Sequence, residues 1–202
     1  MQIDSTKACM FPATSMPDRN WWQELWPKPK ETMQSLGVRE HMTVLDLCCG
    51  DGYFTVPLAE LVEKVYGLEL DCHFLIEATR LANDQGVSNC QWVQGDAMKT
   101  TSLVPENVDC VLMANTFHGI PEKTELVNQI YSLLKSQGMF VVINWHKRDR
   151  EETTVLGLPR GPKTEMRMSP LELNDIVVPS GFILEKSFDV SAYHYASVYV
   201  KL

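Results

Sequence analysis

The sequence predicts an α/β fold, a mostly parallel sheet with helices on both faces and an antiparallel β-hairpin at the carboxyl end. Three observations carry this. Short apolar, β-branched runs alternate with helical stretches five times between residues 43 and 145, the pattern of parallel strands joined by right-handed crossovers. Runs such as Thr43 to Leu47 are apolar on both faces, as buried parallel strands must be. The last two runs, Phe182 to Val190 and Tyr193 to Lys201, are joined by a link too short for a crossover, so they form a hairpin.

The stretch Val44 to Leu58, VLDLCCGDGYFTVPL, organises the rest. It reads as strand, glycine turn and helix. Gly50 and Gly52 free the backbone to turn sharply and to approach a ligand, and Pro57 is tolerated because it lies in the first turn of a helix beginning near Tyr53. A turn of this kind, at the carboxyl end of a strand, is where an open α/β sheet holds a nucleotide-like ligand. Asp46 and Asp51 would repel a pyrophosphate there, and they suit a ligand bearing an ammonium, a sulfonium or ribose hydroxyls.

Before this stretch, the first twenty residues lack any period and are expected to be an arm that orders over a ligand. Trp21, Trp22 and Trp26 suit one face of a short helix ended by Pro27 and Pro29; they either pack against the domain or form an aromatic lid, with Trp22 against the substrate. Residues 1–38 are thus read as arm and aromatic helix, and 39–202 as the main domain. Glu31 to Leu36 is a second brief helix, stopped by Gly37.

After it, Lys64 to Leu70 reads as the second strand. Its end places Glu69 17 residues beyond Gly52, close to the interval at which an acidic side chain can accept from ribose hydroxyls. Asn89 to Gln94 is the third strand, followed by Gly95, Asp96 and Ala97; Asp96 either caps a helix or meets the ligand. Asn107 to Ala114, the fourth strand, delivers Asn115, Thr116, Phe117 and His118 to the ligand edge. A helix from Glu122 to Lys135, stopped by Gly138, leads into strand Met139 to Trp145. Ser169 to Glu172 opens a last helix with a capping box, and Gly181 ends it.

Two histidines past strand ends are candidates for proton transfer, His118 first and His146 second. Phe117, Trp145 and Tyr193 are candidate walls of a substrate site, with sheet packing as the competing reading for Tyr193. The connection from Lys147 to Met168 is too long for a plain link. Within it, Arg160 in Leu-Pro-Arg-Gly-Pro is placed to meet a carboxylate or phosphate, unless the loop charges only pair with each other.

Composition narrows the function. A chain of 202 residues with 45% hydrophobic content supports one sizeable core, and a net charge of -8 gives no general surface for nucleic acid. Six cysteines show no metal-ligand spacing. No apolar run reaches spanning length and no signal peptide is evident, so a cytoplasmic protein without a membrane segment is expected.

Asp46, Cys48, Gly50 and Gly52 resemble the first motif of the class I S-adenosylmethionine-dependent methyltransferases, with Cys48 standing where the family usually has its first glycine. Glu69 falls at the family's ribose-binding acid, and Gly95-Asp96-Ala97 resembles its adenine-binding motif. The resemblance covers roughly residues 40 to 202 and is closest to the small-molecule, quinone-biosynthesis type. It implies a Rossmann-like, seven-stranded sheet, S-adenosylmethionine as cofactor across Asp46 to Gly52, Glu69, Leu70, Asp96, Ala97 and Asn115, and a small-molecule methyl acceptor. The fourth strand lacks the Asn-Pro-Pro-Tyr type of ending, which speaks against methylation of nucleic-acid bases. Two rivals remain: a methyltransferase-like domain that serves as a protein partner, and a nicotinamide oxidoreductase. The second requires a proton-transfer pair such as Tyr-x-x-x-Lys, and none is read after the fourth strand.

Overall fold

The structure is a computed structural model that describes residues 16–202; most of the expected arm lies outside the described residues. Strands β1 (Thr43–Leu47), β2 (Lys64–Glu69), β3 (Cys90–Gln94), β4 (Val108–Ala114) and β5 (Leu134–Trp145) are parallel. A separate small hairpin follows, β6 (Thr154–Val155) and β7 (Leu158–Pro159), and then the antiparallel pair β8 (Phe182–Ser191) and β9 (His194–Lys201). The main sheet has the order β3-β2-β1-β4-β5-β9-β8. Parallel central strands and an antiparallel edge are as the sequence predicts.

Helices cover both faces. On one lie α1 (Arg19–Leu25), α2 (Pro29–Ser35) and α3 (Thr55–Ala59), whose Trp22, Met33 and Leu58 share a core with Val44, Leu112 and Ile143. Next in the chain come α4 (Cys72–Asp84), which contacts β2 and β3, and the short α5 (Thr100–Leu103). On the other face α6 (Lys123–Leu133) and α7 (Pro170–Val177) set Leu126, Ile130 and Leu173 against Leu45, Met113 and Phe140. Alternation decides which strand residue goes where. Along β4, Val111 and Met113 enter one core while Cys110 and Leu112 enter the other, as a two-residue period requires.

Three local readings are corrected or refined. Helix α6 ends at Leu133, not Lys135, because Leu134 is already extended and pairs with Val108. Gly138 does not stop the helix. It lies in β5 at a register shift after Gln137, which has φ +61°, and a Cβ there would come within 2.9 Å of the Lys135 carbonyl. The connection after β5 is not a structureless loop, since its β6–β7 turn places Leu156 and Gly157 both at positive φ, the geometry of a tight hairpin turn.

Helix α7 starts as expected, with Ser169 and Glu172 exchanging both capping-box bonds, and the chain turns at Gly181 with φ +99°. A Cβ there would lie 2.9 Å from the Tyr131 ring. Gly181→Ala should therefore lower the free energy of unfolding by about 1–3 kcal/mol, read as a lower urea midpoint at unchanged slope; an unchanged midpoint would contradict the fit described.

Candidate active site

Strand order reverses between β1 and β4: the chain runs outward from β1 through β2 to β3, then returns to place β4 on β1's other side. The carboxyl ends of these two neighbours diverge into separate crossovers, which opens a crevice at the sheet edge. After β1 come Cys48 at φ +65°, Gly50 at +56° and Gly52 at +80°; after β4 comes Asn115 at +62°. Left-handed backbone at two non-glycine residues costs about 1–2 kcal/mol each, and strain of this kind gathers where backbone is shaped for a ligand.

Carboxylates hold the turn. Glu69 Oε2 accepts from the Gly50 amide at 3.0 Å, and Oε1 accepts from those of Leu70 and Asp71 at 2.8 and 3.1 Å. Asp46 is buried under the turn and accepts from Thr55 Oγ1 of α3 at 2.6 Å. Burial first, opposed by that bond, and then the nearby Glu69 charge push the Asp46 carboxyl up to about 7. Asp96 caps the turn after β3, accepting from the Met98 amide at 2.9 Å. That is the competing role foreseen for it; its neighbour Ala97 is buried, while Leu70 is exposed.

A cavity of about 360 Å³ opens beside the turn. Its floor is Cys48, Cys49, Gly50 and Asp51 with Asn115, Thr116 and His118, and its walls include Trp21, Trp22, Trp145, Arg150 and Arg160. Met16 reaches over the turn, where a Cβ on Gly50 would approach its sulfur to 2.7 Å. Trp21, Trp22 and Trp26 are buried in the core, as the packing alternative expects, and the first two also line the cavity. Tyr53 ties their helix to the turn by donating to the Trp26 carbonyl at 2.7 Å.

His118 is buried, with Nδ1 3.4 Å from Asn144 Oδ1. An amide oxygen only accepts, so Nδ1 carries the proton and Nε2 keeps the basic lone pair. Desolvation lowers the pKa of this ring, leaving it neutral at pH 7. Asn144 escaped the sequence reading, although a lone amide in the apolar run Val-Val-Ile-Asn-Trp is the signal that could have found it. The Asn115 amide and the Thr116 hydroxyl are buried at the cavity with no partner among the described residues.

Other candidates are not brought to the cavity. His146 Nε2 pairs with Asp189 of β8 at 3.0 Å, and its amide, donating to the Tyr193 carbonyl at 2.8 Å, carries the β5–β9 pairing one residue further. Phe117 is fully buried against Phe140 in the opposite core, since its side chain points through the edge and not out of it. Tyr193 donates to the Thr154 carbonyl at 3.0 Å and stacks on Trp145, so it clamps the β6–β7 hairpin. Glu69, Asp96 and Ala97 lie outside the cavity lining, along the same edge. Tyr131 and Lys135 do have the Tyr-x-x-x-Lys spacing, missed in the sequence. Tyr131 bonds the Leu202 carbonyl and Lys135 pairs with Asp109, so neither reaches the crevice.

A doubly wound sheet with an antiparallel carboxyl-terminal hairpin, bearing an acid-and-glycine turn at its switch point, is the fold of the class I S-adenosylmethionine-dependent methyltransferases. The chain belongs to the methyltransferase-domain family, whose model matches residues 39–168. It is similar to demethylmenaquinone methyltransferases: 28% identical over 125 residues to that of Lactiplantibacillus plantarum, covering 60% of this chain and 52% of the relative. That of Lactococcus lactis is 29% identical over 123 residues, 59% and 48% of the two chains. The chain spans about half the length of these curated relatives. Among solved structures, a SAM-dependent methyltransferase from Aquifex aeolicus superposes with a TM-score of 0.75 at 24% identity, covering 89% and 92% of the two chains. Magnesium protoporphyrin IX methyltransferase of Synechocystis, with bound SAH, gives 0.68 at 15% identity over 91% and 94%. At such identities these two establish the fold. Among the described residues no helix is long and apolar enough to cross a membrane.

The buried Asp46 yields a test of the turn's electrostatics. Its folded pKa of about 7 lies above the ordinary value of 3.8, so its contribution to stability is full below the unfolded pKa and is lost as pH rises through 7. Asp46→Asn keeps an acceptor for Thr55 and has no charge to bury. Its unfolding free energy should gain on the wild type by about 2–4 kcal/mol between pH 4 and pH 8; a gap independent of pH would refute the burial account.

Proposed function

We propose that the chain binds S-adenosylmethionine along the edge from the β1 turn to β3 and transfers its methyl group to a small, anionic molecule in the cavity. The observation that carries this reading is at the switch point: Asn115, left-handed, whose buried side-chain amide finds no partner among the described residues, faces the left-handed Gly50, which has no side chain of its own and is covered by Met16. Both fit a ligand that brings its own polar groups close to backbone. Glu69 has a lone pair left on Oε2 for a ribose hydroxyl, Asp96 and Ala97 stand where an adenine would lie, and Asp51 offers a carboxylate to an ammonium. Asp46 acts from beneath, through Thr55, to keep the turn in shape. Cys48 and Cys49 are half-buried and their thiols are pushed up, chiefly by desolvation, so they act as small neutral surface and not as nucleophiles.

The cofactor supplies an electrophilic methyl carbon on a sulfonium, for which the protein must align a nucleophile and, where needed, take its proton. His118 is the base in this reading. Its Nδ1 is committed to Asn144 and its depressed pKa keeps it in the accepting form. Trp21, Trp22 and Trp145 exclude water, which favours a step in which charge is lost. Arg160 on the cavity wall supports an acceptor with negative charge. An open, lined cavity beside His118 favours an enzyme over a domain that only binds a partner.

Two measurements test this. At a hundred times their dissociation constants, S-adenosylmethionine and its demethylated product should each raise the melting temperature by roughly 5–10 °C, and Glu69→Ala should remove more than half of that rise. No rise with either would sink the proposal, and a rise with NAD alone would transfer the chain to the oxidoreductases. With an acceptor in hand, His118→Ala should cost about 10²–10⁴-fold in kcat/KM and abolish the acid limb of its pH profile. Because desolvation lowers the His118 pKa, that limb should lie below pH 6.5; an unchanged profile would remove His118 as base.

A further inference from the structure

The segment after β5 gives the cavity wall two cations that pair with no carboxylate among the described residues. Arg150 and Arg160 both line the cavity, and neither forms an ion pair among the described residues. Arg160 Nε is buried without a hydrogen-bond partner, and its guanidinium lies 5.0 Å from the centre of the Trp21 ring. Arg150 is anchored by donating from Nε to the Gly161 carbonyl at 3.0 Å. Gly161 is pressed so closely on Trp145 that a Cβ would come within 2.8 Å of the indole. The strip that presents both guanidiniums therefore has little slack.

A third arginine shows the contrast. Arg167 is buried beneath the strip and spends its Nε and Nη2 on the Pro162 and Arg160 carbonyls and the Thr153 hydroxyl. It is a strut. Arg160 lacks such partners, and a guanidinium cannot shed its charge to relieve a buried, unanswered N–H. In a chain of net charge -8, no acidic side chain among the described residues pairs with either cation.

The geometry points to a carboxylate-binding pair: Arg150 and Arg160 receive the carboxylate of the methyl acceptor, and that acceptor is a planar aromatic or conjugated acid. The guanidinium fork matches a carboxylate in its own plane, and Trp21, Trp22 and Trp145 line the cavity as apolar surface for the attached ring. This inference rests on the methyltransferase reading above. A second source of the same chemistry is the carboxylate of the cofactor's methionine part. The indole walls favour the acceptor, because a ring can use them and an aliphatic zwitterion cannot.

Calorimetry on the full chain separates these cases, with 2-naphthoate and its neutral isostere 2-naphthamide as probes, S-adenosylhomocysteine being present. The acid should bind about tenfold or more tighter than the amide. Arg160→Leu and Arg150→Leu should each erase that preference and leave S-adenosylhomocysteine affinity within about twofold. Equal binding of acid and amide, or a preference that survives in both variants, would overturn the pair. A large loss of S-adenosylhomocysteine affinity in the variants would assign the arginines to the cofactor and overturn the acceptor assignment. Should the wild type fail to bind S-adenosylhomocysteine, the methyltransferase reading falls, and the acid-to-amide comparison without it still decides whether the pair holds a carboxylate.

Discussion

Glu69 closes the ligand edge by accepting the amides of Gly50, Leu70 and Asp71. Those donors stand where β1 and β2 have run out of strand partners, and unpaired they would have to be solvated or pay the cost of burial. By gathering them, one side chain of β2 sets the path of the turn after β1. The left-handed Cys48, Gly50 and Gly52 follow from that path, and so does the way the turn faces Asn115 across the switch point. Asp46 and Thr55 make the matching tie below, from strand to following helix.

Burial gives the adjoining cavity its chemical character. The tryptophans of the amino-terminal helix, Trp145 and the rings of Tyr53 and Phe54 form one aromatic wall. Behind it His194 is sealed between Trp26 and Trp145, and desolvation drives its pKa well below the usual histidine range. The same desolvation acts on His118 and, with opposite sign, on Asp46 and Asp51. Where water is excluded, each remaining charge acts over a longer reach, so the few ionic groups at the cavity dominate what it can accept.

The connection between β5 and α7 is built as a small structure of its own. Thr153 lies within hydrogen-bond distance of the Arg150 and Arg160 carbonyls and accepts from Arg167, Arg150 takes the Thr164 hydroxyl through its amide, and Tyr193 holds the hairpin from β9. These bonds replace the regular ladder that the segment lacks. They also convert a sequence that reads as a charged loop into a fixed wall.

The periods in the sequence sufficed for the sheet, because a buried parallel strand must be apolar on both faces and each crossover helix must show one apolar stripe. They sufficed as well for Glu69, Gly50, Gly52 and Asn115, whose places follow from strand ends. They did not suffice for Phe117 and His146, each adjacent to a strand end but turned away from the crevice, nor for Tyr193, which serves the hairpin. Nor could they reveal Asn144 beside His118, or Arg150 on the wall of the cavity that Arg160 lines, since both depend on packing. A strand pattern and a glycine turn are local, set by sterics and hydrophobic period along one stretch of chain, and the sequence alone determined them. Which side chains share a cavity, and which lose their water there, depends on contacts between distant segments, and only the tertiary structure decided it.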